Sequence, residues 1–321
     1  MSAVRVGFVG CGAHATANLY PLLHDAGMDL AAVCDLDKRK AQRVCRLFGG
    51  HRCYQDLGNM IEEMDLDAVL VCGPPELHVE TALRALDHGL AVWVESPPAP
   101  SIAEAERIAE LSRARSLVAQ VGLVMRSAPA YRRMRGAIED ESFGVPAAVE
   151  AHLCTGRASG HEQHLLVDCL SMLDLIRHLM GEVSALCALK CERHGQVTSA
   201  VSLRFASGAV GLLHLSSTQP RVRERVTIWG QGSWATVEGR ARLTRGGAAE
   251  PGEMHGWQPN LVMPDVASST GHLRGYLPSL AQFADAVRGE SAPAATIDDA
   301  LAAMRLAEAI AAHEGELVEV G

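Results

Sequence analysis

An apolar run, VRVGFVG (4–10), passes into Gly10-Cys11-Gly12-Ala13-His14-Ala15 and then into sequence with helical spacing. Few arrangements put a glycine-rich turn directly between a buried strand and a helix. Gly10 allows the tight turn, Gly12 lets the backbone approach a pyrophosphate, and Ala15 permits close helix–strand packing. The N–H groups of Ala13 and His14 open the helix and face the phosphates. Asp35 ends the second apolar run, LAAVCD (30–35), where a carboxylate holds a ribose 2′-hydroxyl. Strand, glycine turn, helix, strand and terminal Asp together predict a dinucleotide site. Asp35 favours NAD(H) over NADP(H), because it repels a 2′-phosphate. Lys38, Arg39 and Lys40 follow it and either soften that preference or decorate a helix.

The runs at 4–10, 30–35, 68–73, 91–96 and 117–122 are almost continuously apolar, as parallel strands covered on both faces are. Helical segments such as ELHVETALRALDHG (76–89) separate them, so residues 1–122 read as a doubly wound Rossmann domain. From 123 the pattern changes. A helix at 127–139 and another at 162–180 accompany strand-like runs at 184–192, 197–206, 209–218, 225–230 and 233–239, joined by short turns. Residues 123–321 therefore read as an α+β domain with a mostly antiparallel sheet. Residues 245–275, rich in Gly, Pro and Ser, read as a long covering loop, before helices at 276–288 and 298–313 that pack back toward the Rossmann domain.

A net charge of −9 with scattered arginines argues against nucleic acid as a partner. No apolar run approaches the ~20 residues of a membrane span, and no leader precedes the first strand, so a cytoplasmic location is expected. The nine cysteines sit mostly in apolar runs, no Cys/His spacing resembles a zinc site, and no metal is expected.

With Gly10 to Ala15, Asp35, CGPPELH (72–78) and VESPPAPS (94–101) in view, the chain resembles the Gfo/Idh/MocA family along its whole length. VGLVMRSAPAYRRMR (121–135) resembles the family's domain crossover and YLPSLAQFADAVRGE (276–290) its returning helix. The resemblance implies an NAD(P)-dependent oxidoreductase acting on sugars or similar small molecules, and a homodimer or homotetramer formed through the open sheet of the second domain. It also places Gly73, Pro74, His78 and Glu95 beside the cofactor, His78 in a structural role. Two family motifs carry the chemistry, a Glu-Lys-Pro and an Asp-x-x-x-His. Here they read Glu95-Ser96-Pro97 and Asp168-Cys169-Leu170-Ser171-Met172, so lysine and histidine are both replaced.

Hydride transfer to or from an alcohol needs a proton carrier. A serine hydroxyl is too weak an acid, although Ser96 can orient a substrate. Met172 carries no proton and is left to line the substrate site. The remaining lysines offer no replacement, since Lys38 and Lys40 belong to the adenosine half and Lys190 to a strand of the other domain. His161, His164 and Asp168 share a helical face, so His164, oriented by Asp168, is the expected substitute; the competing reading has both histidines at the helix entrance. Cys169 reads as packing. Arg126 and Arg157 are candidate anion holders for the substrate, and Tyr131 a candidate cavity residue. Three functions remain in play. One is an oxidoreductase with a rebuilt proton relay, working on a C–O or C–N centre. Another is an inactive nucleotide-binding regulator or scaffold. A non-redox reaction with a retained nucleotide is a third.

Overall fold

The computed structural model describes residues 2–156, 160–219, 222–247, 255–257 and 271–320. The chain divides into two compact units, Met1–Ser127 with Pro264–Leu301, and Ala128–Met263 with Ala302–Gly321.

In the first unit, β1 (Val4–Val9), β2 (Met28–Cys34), β3 (Arg52–Tyr54), β4 (Ala68–Val71), β5 (Ala91–Val94) and β6 (Ala119–Val121) form one sheet in the order β3-β2-β1-β4-β5-β6. All its pairings are parallel. Helices α1 (Ala13–Asn18), α2 (Lys38–Phe48), α3 (Leu57–Glu63), α4 (Pro75–Asp87) and α5 (Ile102–Arg115) connect the strands. β4 and β5 are buried at every position, which is why both read as unbroken apolar runs. β3 gave no such signal, because its residues lie at the sheet edge and are largely exposed.

The division falls at Ser127/Ala128, beyond the expected 122/123, because Val124 shares a buried core with Tyr276, Leu280 and Phe283. Those residues lie on α9 (Tyr276–Val287), which clusters with the first unit. Gln120, fully buried, fixes that segment: its Nε2 donates to the Ser279 carbonyl at 2.8 Å and its Oε1 accepts from Ala294 N–H at 2.9 Å.

The second unit holds α6 (Pro129–Glu139), α7 (His161–Gln163) and α8 (Leu170–Met180) with β7 (Ala148–Cys154), β8 (Val183–Arg193), β9 (Gln196–Phe205), β10 (Val210–Ser216), β11 (Arg223–Trp229), β12 (Ser233–Glu238), β13 (Arg242–Gly247), β14 (His255–Trp257) and β15 (Val318–Glu319). Its sheet runs β14-β13-β12-β11-β7-β10-β9-β8-β15, and β7–β10 is the parallel pair in an otherwise antiparallel ladder. β7 was not foreseen; Glu150 and His152 on its open face break the apolar run. Strands β13 and β14 occupy part of the expected loop 245–275, whose remaining residues from 248 to 254 and 258 to 270 lie outside the described residues. The last helix, α10 (Ile297–Ala312), has residues in both units.

One departure in the second unit bears on chemistry. The expected helix at 162–180 is not uniform, since His164–Cys169 form a π-helical turn between α7 and α8. Such wide turns recur at functional sites.

Candidate active site

The glycine turn is shaped by two different demands. Gly10 has φ +101°, and a Cβ there would lie 2.1 Å from the Cys72 carbonyl oxygen, so no side chain fits. Gly12 has φ −69° and ψ 170°, and a Cβ would meet nothing within 4 Å. The fold therefore needs Gly10, whereas the space beside Gly12 is open. Gly12→Ala is accordingly expected to leave the unfolding midpoint unchanged or slightly higher. The same variant should weaken NADH by roughly ten- to a hundredfold, as the methyl fills the approach of the pyrophosphate. A fluorescence titration of NADH beside a thermal melt checks both halves, and unchanged affinity would remove the turn from the binding site.

Asp35 ties this turn to the next loop. Its Oδ2 accepts from Cys11 N–H at 2.8 Å and its Oδ1 from Asp37 N–H at 2.9 Å. Lys38, Arg39 and Lys40 open α2 and are exposed, with Asp37 capping the helix by accepting from the Arg39 and Lys40 N–H groups. Beyond β4, His78 is buried and bridges two loops: its Nε2 accepts from Gly73 N–H at 3.0 Å, and its Nδ1 faces the Pro97 carbonyl at 2.8 Å. That pairing places the ring proton on Nδ1. Pro74 is the N-cap of α4 and turns the chain between the two His78 contacts.

Burial, outweighing contributions from Pro97 and Glu95, pulls the His78 pKa below its ordinary 6.5. The sign follows: the unfolded chain binds a proton near pH 6.5 that the folded chain refuses. This stabilisation is complete above that pH and falls as pH drops toward the lowered folded value, with a slope of up to about 1.4 kcal/mol per pH unit. Urea midpoints of the wild type and of His78→Asn, taken across this range, should diverge in slope; parallel curves would assign the acid sensitivity to other groups.

After β5, Glu95 Oε1 accepts from Ser96 N–H at 2.9 Å. Glu95 Oε2 and Ser96 Oγ are buried and have no hydrogen-bond partner among the described residues. His14 Nε2 stands 3.3 Å from that same Glu95 oxygen, and the Tyr276 hydroxyl lies 3.2 Å from the same nitrogen. Buried polar atoms without partners carry a desolvation cost unless a ligand answers them. Together with the open space at Gly12, they fit a bound dinucleotide.

In the second unit, His164 Nδ1 lies 3.2 Å from Asp168 Oδ2. His164 is completely buried, whereas the Asp168 side chain keeps 10% of its surface exposed. The π turn adds a second contact, Cys169 Sγ to His164 Nε2 at 3.4 Å. In a regular α-helix residues five apart point about 140° away from each other; the wider turn brings them together. Both ring nitrogens of His164 are thus engaged. The expected pair forms, with His164 sealed in the interior and Asp168 the more exposed member. Cys169 is buried and its thiol pKa is pushed well up by burial, first, and by Asp168, so it serves as packing.

Other expectations change with the structure. Met172 is completely buried among core residues and lines no open surface. Arg126 is 8% exposed, lies 3.3 Å from Asp299 and donates to the Ala294 carbonyl at 3.2 Å, so its charge is already committed and it is not an anion holder. The Asp299 carboxyl responds: burial opposes ionisation, but Arg126 and the Thr296 donors outweigh it and lower its pKa. Tyr131 is buried against Glu224 rather than lining a cavity. Arg157 lies outside the described residues. His161 bonds Ser199 Oγ at 2.7 Å and borders a cavity of about 620 Å³ with Lys190, Glu192 and Glu314. Lys190 is paired with Glu314 at 3.5 Å.

A six-stranded parallel sheet with a glycine turn after β1, joined to a mostly antiparallel α+β unit, defines a dinucleotide-dependent oxidoreductase architecture. Residues 4–123 match the model for an oxidoreductase family with an NAD-binding Rossmann fold, and residues 135–319 match the C-terminal alpha/beta domain of the same family. The chain belongs to the Gfo/Idh/MocA oxidoreductase family. It is 26% identical over 209 residues to scyllo-inositol 2-dehydrogenase (NAD(+)) of Bacillus subtilis (strain 168), a match covering 60% of this chain and 61% of that enzyme. Its fold is similar to that of a dehydrogenase from Chromobacterium violaceum, with a TM-score of 0.91, 23% identity, and 98% and 96% of the two chains covered. It is also similar to levoglucosan dehydrogenase solved with NADH and L-sorbose, with a TM-score of 0.87, 18% identity and full coverage of both chains. Among the described residues, no helix is long and apolar enough to cross a membrane.

Proposed function

We propose that this protein is an NAD(H)-linked oxidoreductase acting on a hydroxyl-bearing or imine carbon of a sugar-like metabolite, with Asp168 and His164 as its proton relay. The observation that carries the reading is the Asp168–His164 pair: a carboxylate that keeps 10% of its surface exposed stands against a completely buried imidazole, although the family's lysine and histidine positions hold Ser96 and Met172. When bound, NAD(H) accepts or supplies the hydride. Gly10, Gly12, Ala13 and His14 would hold its phosphates and Asp35 its adenosine ribose, while the Ser96 hydroxyl would hydrogen-bond the reacting oxygen or nitrogen. Asp35 favours NAD(H), because a 2′-phosphate beside that carboxylate is repelled; NADH is expected to bind more tightly than NADPH in the same titration.

The test is a panel. Relatives bear names such as scyllo-inositol 2-dehydrogenase and levoglucosan dehydrogenase, so NAD+ is offered with scyllo-inositol, myo-inositol and levoglucosan, and NADH with the matching ketones and with cyclic imines. Turnover of any member supports the reading. NADH binding with no turnover across the panel would instead favour the regulator or scaffold.

The protein is further proposed to self-associate through the open face of the nine-stranded sheet. Val210 and Leu212 project from that face of β10, with Trp229 in register beside Val210 through Ala148, and Leu189 on β8 follows the same alternation. All four are exposed large hydrophobic residues, and such rows mark contact surfaces. Light scattering during size exclusion should give a dimer or tetramer, and Leu212→Glu should shift it to smaller mass.

A further inference from the structure

The open face of the second unit's sheet carries two histidines side by side. His152 on β7 and His214 on β10 are in register across the parallel pair, and their ring centroids lie 5.4 Å apart. Residues two apart along a strand share a face. Leu212 therefore neighbours His214 along β10, and the register carries the row on from His214 through Ala200 of β9 to Leu189 of β8. Leu212 and Leu189 are both exposed. The histidine pair thus stands among the apolar side chains through which a second copy is proposed to dock.

While both rings are neutral, the charges in contact with the pair balance. His152 Nε2 donates to Glu150 Oε1 at 2.6 Å, and Arg225 of β11 reaches the same oxygen at 3.3 Å. The bond from His152, first, together with Arg225 outweighs burial and lowers the Glu150 pKa, so this carboxylate is charged throughout. Across from Arg225, β12 presents Glu238. Arg223 stands opposite Cys154, whose Sγ is 4.0 Å from His214 Nδ1. Burial raises the Cys154 pKa, which keeps that thiol neutral. On the other side, β9 presents Thr198, Ala200 and Ser202, none of which titrates. Protonating both rings adds two positive charges beside a single carboxylate that already answers Arg225. Like charges this close repel, and under a covering partner they would also lose their water. Burial, first, and the neighbouring His152 already pull the His214 pKa below its ordinary 6.5.

We propose that the His152–His214 pair is a proton switch for self-association: copies of this chain hold together through the open face while both rings are neutral, and acid separates them. The switch rests on the self-association reading and adds its regulation. By linkage, a covered face that binds fewer protons than a free one associates fully above the histidine range and loses affinity as pH falls through it.

The experiment is sedimentation velocity on the full chain, with circular dichroism on the same samples to show that the fold survives. Between about pH 7.5 and about pH 5.5 the dissociation constant should rise by roughly a hundredfold, the size expected if one histidine in each of two copies must give up its proton. His152→Gln/His214→Gln removes both titrating rings but keeps a polar contact to Glu150, and should stay associated at both values. His214→Arg carries a permanent charge and should separate even at the higher pH. Association that acid leaves unchanged, or an acid response that survives in the double glutamine variant, overturns the switch. The two readings fail differently: association that resists acid yet yields to Leu212→Glu loses the switch alone, whereas a monomer at both pH values, or association that survives Leu212→Glu, loses the docking face and the switch with it.

Discussion

Asp168→Asn is expected to lower NAD-linked turnover by roughly 10²- to 10⁴-fold, the usual worth of a positioned acid or base, while leaving NADH affinity unchanged. The substitution keeps the shape and the contact to His164 but removes the carboxylate that can carry a proton. The proposed relay stands beside an unusual piece of backbone. The π turn at His164–Cys169 lets His164 touch Asp168 with one nitrogen and Cys169 with the other. In the proposed relay His164, completely buried, acts by positioning Asp168 rather than by meeting substrate. His164→Gln should therefore cost less than Asp168→Asn, and should shift the pH profile of kcat more than KM. Equal activity of Asp168→Asn and wild type on a panel substrate would eliminate the relay. Restored activity in Asp168→Glu would confirm that a carboxylate, and not merely a polar group, is needed.

How much of this was readable in the sequence varies with the kind of information involved. The strands of the first sheet were plain because burial on both faces leaves apolar runs, and the place of Asp35 beside the glycine turn was plain because it closes the neighbouring strand. The pairing of His164 with Asp168 was also readable, since four residues are one helical turn. That His164 is the sealed member and Asp168 the more exposed one was not, because periodicity does not reveal which side of a helix is sealed. The π turn escaped too, for it is a matter of hydrogen-bond pattern rather than of residue type. Arg126 looked like an available cation because its partner, Asp299, lies far along the chain.

Glu224→Ala is expected to destabilise the second unit by about 3–5 kcal/mol, a large share of an ordinary domain's stability. Glu224 on β11 is buried, and it is answered on both oxygens: Tyr131 of α6 donates its hydroxyl to Oε1 at 2.6 Å, and Arg240 donates Nε to Oε2 at 2.6 Å. Burial, first, and the adjacent carboxylate push the Tyr131 pKa well up, so the phenol remains a neutral donor across the working range. Truncating Glu224 takes the acceptor from a fully buried phenol and the countercharge from a largely buried guanidinium at once, and the cost is set by those abandoned groups more than by the bonds themselves. Tyr131→Phe should be milder, at about 1.5–3 kcal/mol, since only one hydrogen bond to a charged group is lost. The double variant should fall short of the sum, because the second change removes a group the first had already stranded. Three of the four tryptophans, Trp229, Trp234 and Trp257, lie in this unit, so denaturant unfolding followed by tryptophan fluorescence reads it selectively. A loss below about 1 kcal/mol for Glu224→Ala would mean that water or neighbouring groups replace the carboxylate, and that the Tyr131–Glu224–Arg240 triad does not hold α6 to the sheet.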